Sequence, residues 1–304
     1  MPLFTIFTPT YNRRHTIHRV YDSLCAQTLR DFEWLVIDDG STDGTSELIK
    51  GWSKSASFPI RYFWQNNSGK HIAHNLAVEQ ARGQFFAPLD SDDALLPDAL
   101  EKLARHWNEI PVSDRALFAG VYGLCCDQRG QPVGTAFPES PFDGDLREVL
   151  YVQHVRGEKW CMFRTEILRQ FPFPKIPNTY IPEGVIWMEI AKTYKSRFVN
   201  ETVRIYFVDD EDTGTTITTI GPRGPNANGR LYYYVWLLNN NLQYFVHSPG
   251  PFLKAALMIP ATAWRSGQTV ASALMRLQTF KAKALVCLVF PLGILWAYRK
   301  SAID

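Results

Sequence analysis

Short apolar runs alternate with longer amphipathic stretches along the first third of the chain. The runs have the length and composition of β-strands, and the stretches repeat their apolar residues at helical spacing. Trp34-Leu35-Val36-Ile37 is apolar at every position, which is typical of a strand covered on both faces in a parallel sheet. The pattern predicts consecutive βαβ units, with strands near 3–8, 33–38, 60–64 and 84–89 and helices near 15–27, 44–54, 70–81 and 97–107.

The pattern becomes irregular in the middle of the chain. Strand-like runs alternate there with loops that contain proline, at 116–124, 159–163 and 203–208. We interpret them as a mixed sheet that continues the same domain. Beyond the Gly-Pro-rich stretch 221–225, helical patterns follow near 228–247, 252–265 and 269–281. We therefore expect an α/β domain over 1–220 and, over 221–304, a helical extension that is a candidate for membrane association.

The segment 284–298 carries no charge and has basic residues on both sides, at Lys281, Lys283, Arg299 and Lys300. A membrane-spanning helix needs roughly 20 apolar residues, and Pro291 interrupts this shorter segment. An interfacial anchor on an anionic cytoplasmic membrane surface is the membrane interpretation that fits. A buried C-terminal helix or a dimer contact is the alternative.

Composition narrows the class of protein. The 32 Lys and Arg residues against 30 Asp and Glu residues leave a net charge of +2, which does not favour nucleic acid as a partner. The five cysteines form no Cys-x-x-Cys pair, which fits a reducing cytoplasm. Met1 leads into the first apolar run without a basic region or a small-residue cleavage pattern, so a secretory signal is not expected.

A cluster of aspartates, Asp90-Ser91-Asp92-Asp93, follows the fourth apolar run. Side chains alternate along a strand, so Asp90 and Asp92 can point the same way, and Mg²⁺ and Mn²⁺ favour oxygen ligands. An EF-hand is excluded because Ala94 and Leu95 stand where an oxygen ligand and a turn glycine are needed. The metal interpretation competes with a helix-capping or turn role.

Three more polar motifs stand at the ends of predicted strands or the start of a predicted helix. They are Pro9-Thr10-Tyr11-Asn12-Arg13, Asp38-Asp39-Gly40-Ser41-Thr42-Asp43 and Gly69-Lys70. Ligands collect at the carboxyl ends of parallel strands. Taken alone, the second motif is also typical of a strand-to-helix turn, and Lys70 of a solvated surface lysine.

The order and spacing of the four motifs resemble those of the family-2 glycosyltransferases, strongly over 3–105 and weakly over 106–210. The resemblance implies that 1–220 is the catalytic domain, with an α/β GT-A fold, a Rossmann-like three-layer sandwich, and that the helical extension over 221–304 follows it in the chain. It also implies metal-dependent, inverting transfer of a sugar from a nucleotide-diphosphate donor, with UDP as the expected carrier. The Gln-x-x-Arg-Trp signature of processive synthases is absent from the sequence, so single additions are expected.

The resemblance also assigns roles to residues. The nucleotide site would comprise Pro9, Thr10, Tyr11, Arg13, Asp39, Lys70, Asp90 and Ser91. Asp90 and Asp92 would hold Mn²⁺ or Mg²⁺. Tyr11 can stack on a base, and Arg13 and Lys70 can pair with phosphate. Asp39 would accept a hydrogen bond from the base, while Asp38 stabilises the loop or the next helix.

An inverting transfer needs a general base for the acceptor hydroxyl. Glu183 is the candidate, since it directly precedes the helical pattern 186–194, where the family carries an acidic base; the family's common Glu-Asp pair is Glu-Gly here. Trp187 is a candidate for the acceptor pocket or, equally, for the core. Other acidic candidates are Glu189 and the run 209–212, which could border the site through 213–219 or form a solvated turn.

Competing functions fit less well. A sugar-nucleotide pyrophosphorylase would carry a Gly-rich N-terminal signature, which is missing because 9–13 contains no glycine. A Rossmann oxidoreductase would need Gly-x-Gly-x-x-Gly after the first strand to bind a nicotinamide cofactor, and this motif is absent from the sequence. A non-catalytic sugar-nucleotide-binding or membrane assembly subunit is the remaining alternative. By resemblance, the acceptor would be a surface glycan or a lipid-linked saccharide, and the protein would lie at the inner face of the plasma membrane.

Overall fold

A computed structural model describes residues 1–176, 179–207 and 226–301, with side chains described up to residue 290. The chain divides into two compact units: unit 1 comprises 1–175 and 186–211, and unit 2 comprises 176–185 and 212–304. The run 209–212, the loop 213–219 and the Gly-Pro stretch 221–225 lie outside the described residues. The assignment of catalysis to 1–220 and of membrane association to 221–304 stays a prediction.

Unit 1 is built on one mixed sheet with helices on its faces. Its strands are β1 (Phe4–Thr10), β2 (Phe32–Asp38), β3 (Ile60–Trp64), β4 (Phe85–Pro88), β5 (Ala94–Leu95), β6 (Phe118–Cys126), β7 (Phe142–Gly144), β8 (Lys159–Arg164) and β9 (Lys195–Ile205). Its helices are α1 (His18–Cys25), α2 (Thr45–Trp52), α3 (Lys70–Gln80), α4 (Ala99–Asn108), α5 (Leu146–Tyr151), α6 (Thr165–Leu168) and most of α7 (Gly184–Ile190), with a 3-10 turn at Arg115–Leu117.

The strand order is β3-β2-β1-β4-β8-β6-β9-β5, with β7 also on β9. The strands β3, β2, β1 and β4 are parallel, whereas β8 runs antiparallel to β4 and β6. The predicted βαβ half and the predicted mixed continuation of the sheet are both confirmed. In the parallel half β1 is central, so the carboxyl ends of β2 and β4 lie on either side of its own.

Alternation along the strands produces three layers. Phe4 and Ile6 of β1 belong to a core cluster that also takes residues of α1, α2 and α4. Phe7 points to the other face, where it packs edge-on against His74 of α3. Because both faces of the central strands are covered, the strands can be apolar at almost every position. At their carboxyl ends, β1 and β2 finish with the polar residues Thr10 and Asp38.

The irregular middle region departs from the sequence prediction. Strand β9 begins at Lys195, well before the predicted start at 203, and the helix α7 ends at Ile190 rather than 194. The early half of β9 contains Arg197, which is buried and donates two hydrogen bonds to Asp143 of β7, at 2.8 and 2.7 Å. A charged residue inside a strand breaks the apolar pattern, and its partner is distant in sequence. The short elements β5, β7, α5 and α6 were not predicted either.

Unit 2 contains α8 (Ala227–Asn240), a 3-10 turn at Leu242–Tyr244, α9 (Pro249–Arg265), α10 (Val270–Met275) and α11 (Phe280–Ser301). The helix predicted at 269–281 is two helices, and the Thr279 hydroxyl accepts a hydrogen bond from the Ala282 amide at the start of α11. Helix α9 packs against α8 and α11. Within the described part of the chain, no helix has both the length and the hydropathy that a membrane span requires.

Candidate functional site

The predicted motifs meet at one edge of the sheet in unit 1. Thr10 at the end of β1 pairs in register with Asp38 at the end of β2. The chain after β4 continues into the aspartate cluster, and Leu89 hydrogen-bonds to the Phe7 carbonyl of β1. The three loops that follow β1, β2 and β4 are therefore neighbours because their strands are neighbours. This is the edge at which parallel α/β sheets bind ligands.

Three carboxylates converge at this edge. One oxygen from each of Asp90, Asp92 and Asp93 lies within 4.8 Å of the others. Oxygens that share a divalent ion at about 2.0 to 2.6 Å are separated by comparable distances. The donor set is all oxygen, as Mg²⁺ and Mn²⁺ prefer. The residues therefore fit a divalent ion, and Asp93 lies beside the two aspartates that the sequence predicted as its ligands.

Nearby positive charge compensates Asp90 more fully than it compensates Asp92. The Lys70 ammonium at the start of α3 lies 2.5 Å from Asp90 Oδ1. Burial alone would raise the pKa of Asp90, but the charges of Lys70, Arg204 and Arg13 outweigh it and hold that pKa below its usual range. Burial and the charge of Asp90 raise the pKa of Asp92. A further cation beside Asp92 would relieve this repulsion.

Asp93 has a structural partner that the sequence analysis missed. The Arg204 guanidinium of β9 lies 3.0 Å from Asp93 Oδ2, and both side chains are buried. Burial raises the pKa of Asp93 to about 7, against the opposing charge of Arg204. The Phe207 amide donates a hydrogen bond to Asp93 Oδ1, at 3.2 Å. These contacts fix the cluster to the end of β9.

Arg19 of α1 is a second residue that the sequence analysis missed. Its guanidinium donates a hydrogen bond to the Asp92 carbonyl oxygen, at 3.1 Å, and lies 4.2 Å from the centroid of the Phe207 ring. The backbone of the aspartate cluster is thereby held from the α1 side. The one available signal for Arg204 was a charge inside an apolar strand run, whereas nothing distinguished Arg19 from other surface arginines.

The loop after β1 is joined to the loop after β2. Asn12 has the left-handed backbone conformation, at φ 53°, which asparagine tolerates. Its amide donates to the Ser41 hydroxyl at 2.9 Å, and its side-chain oxygen accepts from the Thr42 amide at 2.8 Å. Tyr11 beside it remains half exposed. A ring held on a fixed loop and open to solvent is suited to stacking on a nucleotide base.

Asp38 and Asp39 have different partners. Asp38 accepts hydrogen bonds from the Ser41 amide and the Tyr62 hydroxyl, both at 2.7 Å. Asp39 accepts three, from the Gln65 side chain at 2.7 Å and from two backbone amides, those of Ser68 and Gly69, at 2.8 Å. Asp38 thus closes the turn after β2, as the alternative interpretation proposed. Asp39 orders the loop that leads to Lys70, a role the sequence did not indicate.

Glu183 and Trp187 belong to different units, because the boundary between the units falls within α7. Trp187 belongs to unit 1, where it is 8% exposed and stacks on Phe163 with ring centroids 4.4 Å apart. This packing matches the core alternative for Trp187. Glu183 belongs to unit 2 and immediately precedes the first residue of α7. Its role as a base stays a prediction.

Helix α8 positions the segment that carries Glu183. The Gly229 amide of α8 donates a hydrogen bond to the Thr179 hydroxyl at 2.9 Å. A Cβ at Gly229 would come within 2.2 Å of the Tyr180 carbonyl oxygen, so only glycine fits at this contact. Within unit 2, the backbone just before Glu183 is therefore held by a close contact with α8.

Comparison with known proteins agrees with the sequence resemblance. The family model described as Glycosyl transferase family 2 matches residues 5–171. A Campylobacter jejuni GalNAc(5)-diNAcBac-PP-undecaprenol beta-1,3-glucosyltransferase is 27% identical over 220 residues, which cover 71% of this chain and 68% of the relative. An Escherichia coli chondroitin synthase is 41% identical over 102 residues, 33% of this chain and 15% of the synthase.

Solved structures share the fold at low identity. TarS 1–349 of S. aureus in complex with UDP-GlcNAc superposes with a TM-score of 0.56 at 16% identity, over 95% of this chain and 92% of the other. The mannosyltransferase PcManGT of Pyrobaculum calidifontis, in complex with GDP-Man and Mn²⁺, gives 0.52 at 21% identity, over 98% and 82%. The predicted GT-A fold with C-terminal helices is confirmed.

Proposed function

The chain belongs to glycosyl transferase family 2, and from this premise we propose that it transfers a sugar, with inversion and with help from a divalent metal, from a UDP-sugar to a hydroxyl of a glycan or lipid-linked saccharide. One observation carries the proposal. The carboxylates of Asp90, Asp92 and Asp93 converge at the strand edge that also carries Tyr11 and Lys70. A metal-ligand set, a stacking ring and a lysine at one strand edge suit a nucleotide diphosphate.

Different residues of the donor site would contact the base, the ribose and the diphosphate. Tyr11 stacks on the base, and Asp39 keeps a free lone pair for a base imide after accepting its three hydrogen bonds. Pro9, Thr10 and Ser91 shape the backbone around the ribose and phosphates. Arg13 and Lys70 bring positive charge to the diphosphate.

Asp90 and Asp92 would hold Mn²⁺ or Mg²⁺. The ion pair between Asp93 and Arg204 attaches this part of the chain to β9. When bound, such an ion supplies Lewis-acid stabilisation of the charge that develops on the leaving diphosphate. Lys70 adds to that stabilisation and also opposes the repulsion between the carboxylates. The fit of the carboxylate oxygens to one ion, all within 4.8 Å of one another, supports this assignment.

For the acceptor, Glu183 would take the proton from the attacking hydroxyl while the bond to the diphosphate breaks. The acceptor class rests on relatives, since the Campylobacter enzyme is named for a saccharide on PP-undecaprenol and the E. coli enzyme for chondroitin. A membrane-held acceptor would place the protein at the cytoplasmic face of the membrane. Trp187 would act on the acceptor only indirectly, through the packing that supports α7.

The test is a transfer assay with a panel of UDP-sugars and a short polyprenyl-diphosphate-linked saccharide, with Mn²⁺ or with EDTA. The proposal predicts a Mn²⁺-dependent product whose new bond is β when the donor is α-linked, as read from the anomeric coupling in the NMR spectrum. Retention of the donor configuration would contradict inversion, and undiminished transfer in EDTA would contradict the metal. Donor binding without any transfer would favour the non-catalytic subunit.

A further inference from the structure

Charge is segregated along this chain. Residues 226–301 contain eight Lys and Arg residues and no Asp or Glu, leaving 24 basic and 30 acidic residues in the rest. The small overall charge of +2 therefore conceals a strongly basic helical segment and an acidic remainder. A basic surface of this kind is attracted to an anionic one, and the attraction is screened by salt.

Helix α11 of this segment is apolar on two sides. Its inner face contributes Ala282 and Val286, both fully buried. On the outer face, Phe280 is 84% exposed and Leu288 79% exposed, with exposed Ala284 between them. Residues four apart lie above one another on a helix. These three residues, Phe280, Ala284 and Leu288, form a continuous exposed band that we call the outer stripe.

Two lysines flank the outer stripe. At the helical rotation of about 100° per residue, Lys281 falls on one side of the stripe and Lys283 on the other. Both are exposed. Long basic side chains beside an apolar band can keep their charge at a polar interface while the band is buried. An ordinary solvated helix face would carry polar residues where the stripe lies.

We propose that the outer stripe of α11 binds the surface of an anionic lipid bilayer, with Phe280 and Leu288 in the headgroup boundary and Lys281 and Lys283 beside lipid phosphates. This deepens the proposed function, on which it rests for the membrane-held acceptor. A second copy of the chain is a poorer occupant, because stripe-to-stripe contact would bring two basic, acid-free segments together. An anionic bilayer supplies both the apolar medium and the opposite charge.

The experiment is co-sedimentation of the full chain with vesicles of phosphatidylcholine alone and of phosphatidylcholine mixed with phosphatidylglycerol. Binding is expected to the mixed vesicles and to weaken as salt rises. Each lysine close to an anionic surface increases the membrane-binding constant by a factor of about five. The double variant Lys281→Gln, Lys283→Gln should therefore bind about 30-fold more weakly.

The apolar contribution is tested by Phe280→Ser and Leu288→Ser, each expected to weaken binding by about tenfold. Two exposed residues of unit 1 provide matched controls, Val112→Ser for the stripe and Lys54→Gln for the lysines, and both should bind like the parent. All these positions are exposed, and circular dichroism verifies that each variant is folded.

Equal binding to both vesicle types, no binding to either, or equal weakening by the control variants would overturn the proposal. So would a dimer in analytical ultracentrifugation that Leu288→Ser dissociates, found together with absent vesicle binding. Vesicle binding is measured without donor or acceptor. An inactive protein that still binds vesicles through the stripe therefore contradicts only the transferase proposal, and an active one that ignores vesicles contradicts only this one.

Discussion

Asp93 and Arg204 form a buried ion pair, at 3.0 Å, directly behind the two aspartates assigned to the metal. Removing one partner of such a pair leaves a buried charge without compensation, which costs about 3 to 5 kcal/mol. Arg204→Met should therefore lower the free energy of unfolding by about 3 kcal/mol in urea denaturation. The cluster should also bind Mn²⁺ less well, because Asp93 would lose the contact that fixes it to β9.

The double variant Arg204→Met, Asp93→Leu should recover most of that stability, since neither charge then remains alone. Arg105→Met, which breaks an exposed pair with Glu201, is the matched control and should cost less than about 1 kcal/mol. A cost for Arg204→Met no larger than for this control would show that the buried pair does not hold the cluster.

His74 predicts a specific pH dependence of stability. It is fully buried among the rings of Phe86, Phe173 and Trp187, and burial lowers its pKa to about 3. Its ordinary value is 6.5, so between these values the unfolded chain binds a proton that the folded chain does not. The stability is present in full above pH 6.5 and is lost as the pH falls, by about 1.4 kcal/mol per pH unit.

The variant His74→Phe isolates this contribution, because it keeps an aromatic ring and removes the titrating group. Between pH 7.5 and pH 5, the parent should lose about 2 kcal/mol more unfolding free energy than the variant. Chemical denaturation of both proteins at the two pH values measures the difference. Identical pH profiles would mean that His74 is readily protonated in the folded protein.

Asp38 and Asp39 provide a test of base recognition with a built-in control. Asparagine at either position loses hydrogen bonds to the loops, at a cost of about 1 to 3 kcal/mol in stability. Asp39→Asn should in addition weaken UDP binding and reduce the preference for UDP over the other nucleoside diphosphates, whereas Asp38→Asn should keep that preference. Calorimetric titration measures both. An equal loss of preference in the two variants would contradict base reading by Asp39.

Glu183 is tested against Glu189, the acidic residue of α7 that pairs with Lys192. A positioned general base contributes typically 10²- to 10⁴-fold. Glu183→Gln should thus slow transfer at least about 100-fold while donor and Mn²⁺ binding persist, and Glu189→Gln should transfer at close to the parent rate. The base assignment fails if Glu189→Gln is the inactive variant, or if Glu183→Gln remains fully active.

The sequence predicted what depends on local pattern. The strands of the parallel half were predictable because both faces are covered, and the motif loops because they directly follow those strands. The contacts that fix the site were not. Arg204 of β9 pairs with Asp93, which precedes the neighbouring strand β5, and Asp39 accepts hydrogen bonds from amides of a loop beyond β3. Neither pairing can be predicted from the spacing of these residues along the sequence. The start of β9 was missed because Arg197 breaks the apolar pattern, and its partner Asp143 is distant in sequence.

The most direct test of a metal-assisted donor site is calorimetric titration of UDP, GDP, CDP and dTDP into the protein, with and without Mn²⁺. The parent and Asp92→Ala are compared with Asp98→Ala, an aspartate outside the cluster that pairs with Lys102. We predict that UDP binds the parent and Asp98→Ala only when Mn²⁺ is present, and does not bind Asp92→Ala. Equal UDP binding without Mn²⁺, or undiminished Mn²⁺-dependent binding by Asp92→Ala, would contradict the assignment.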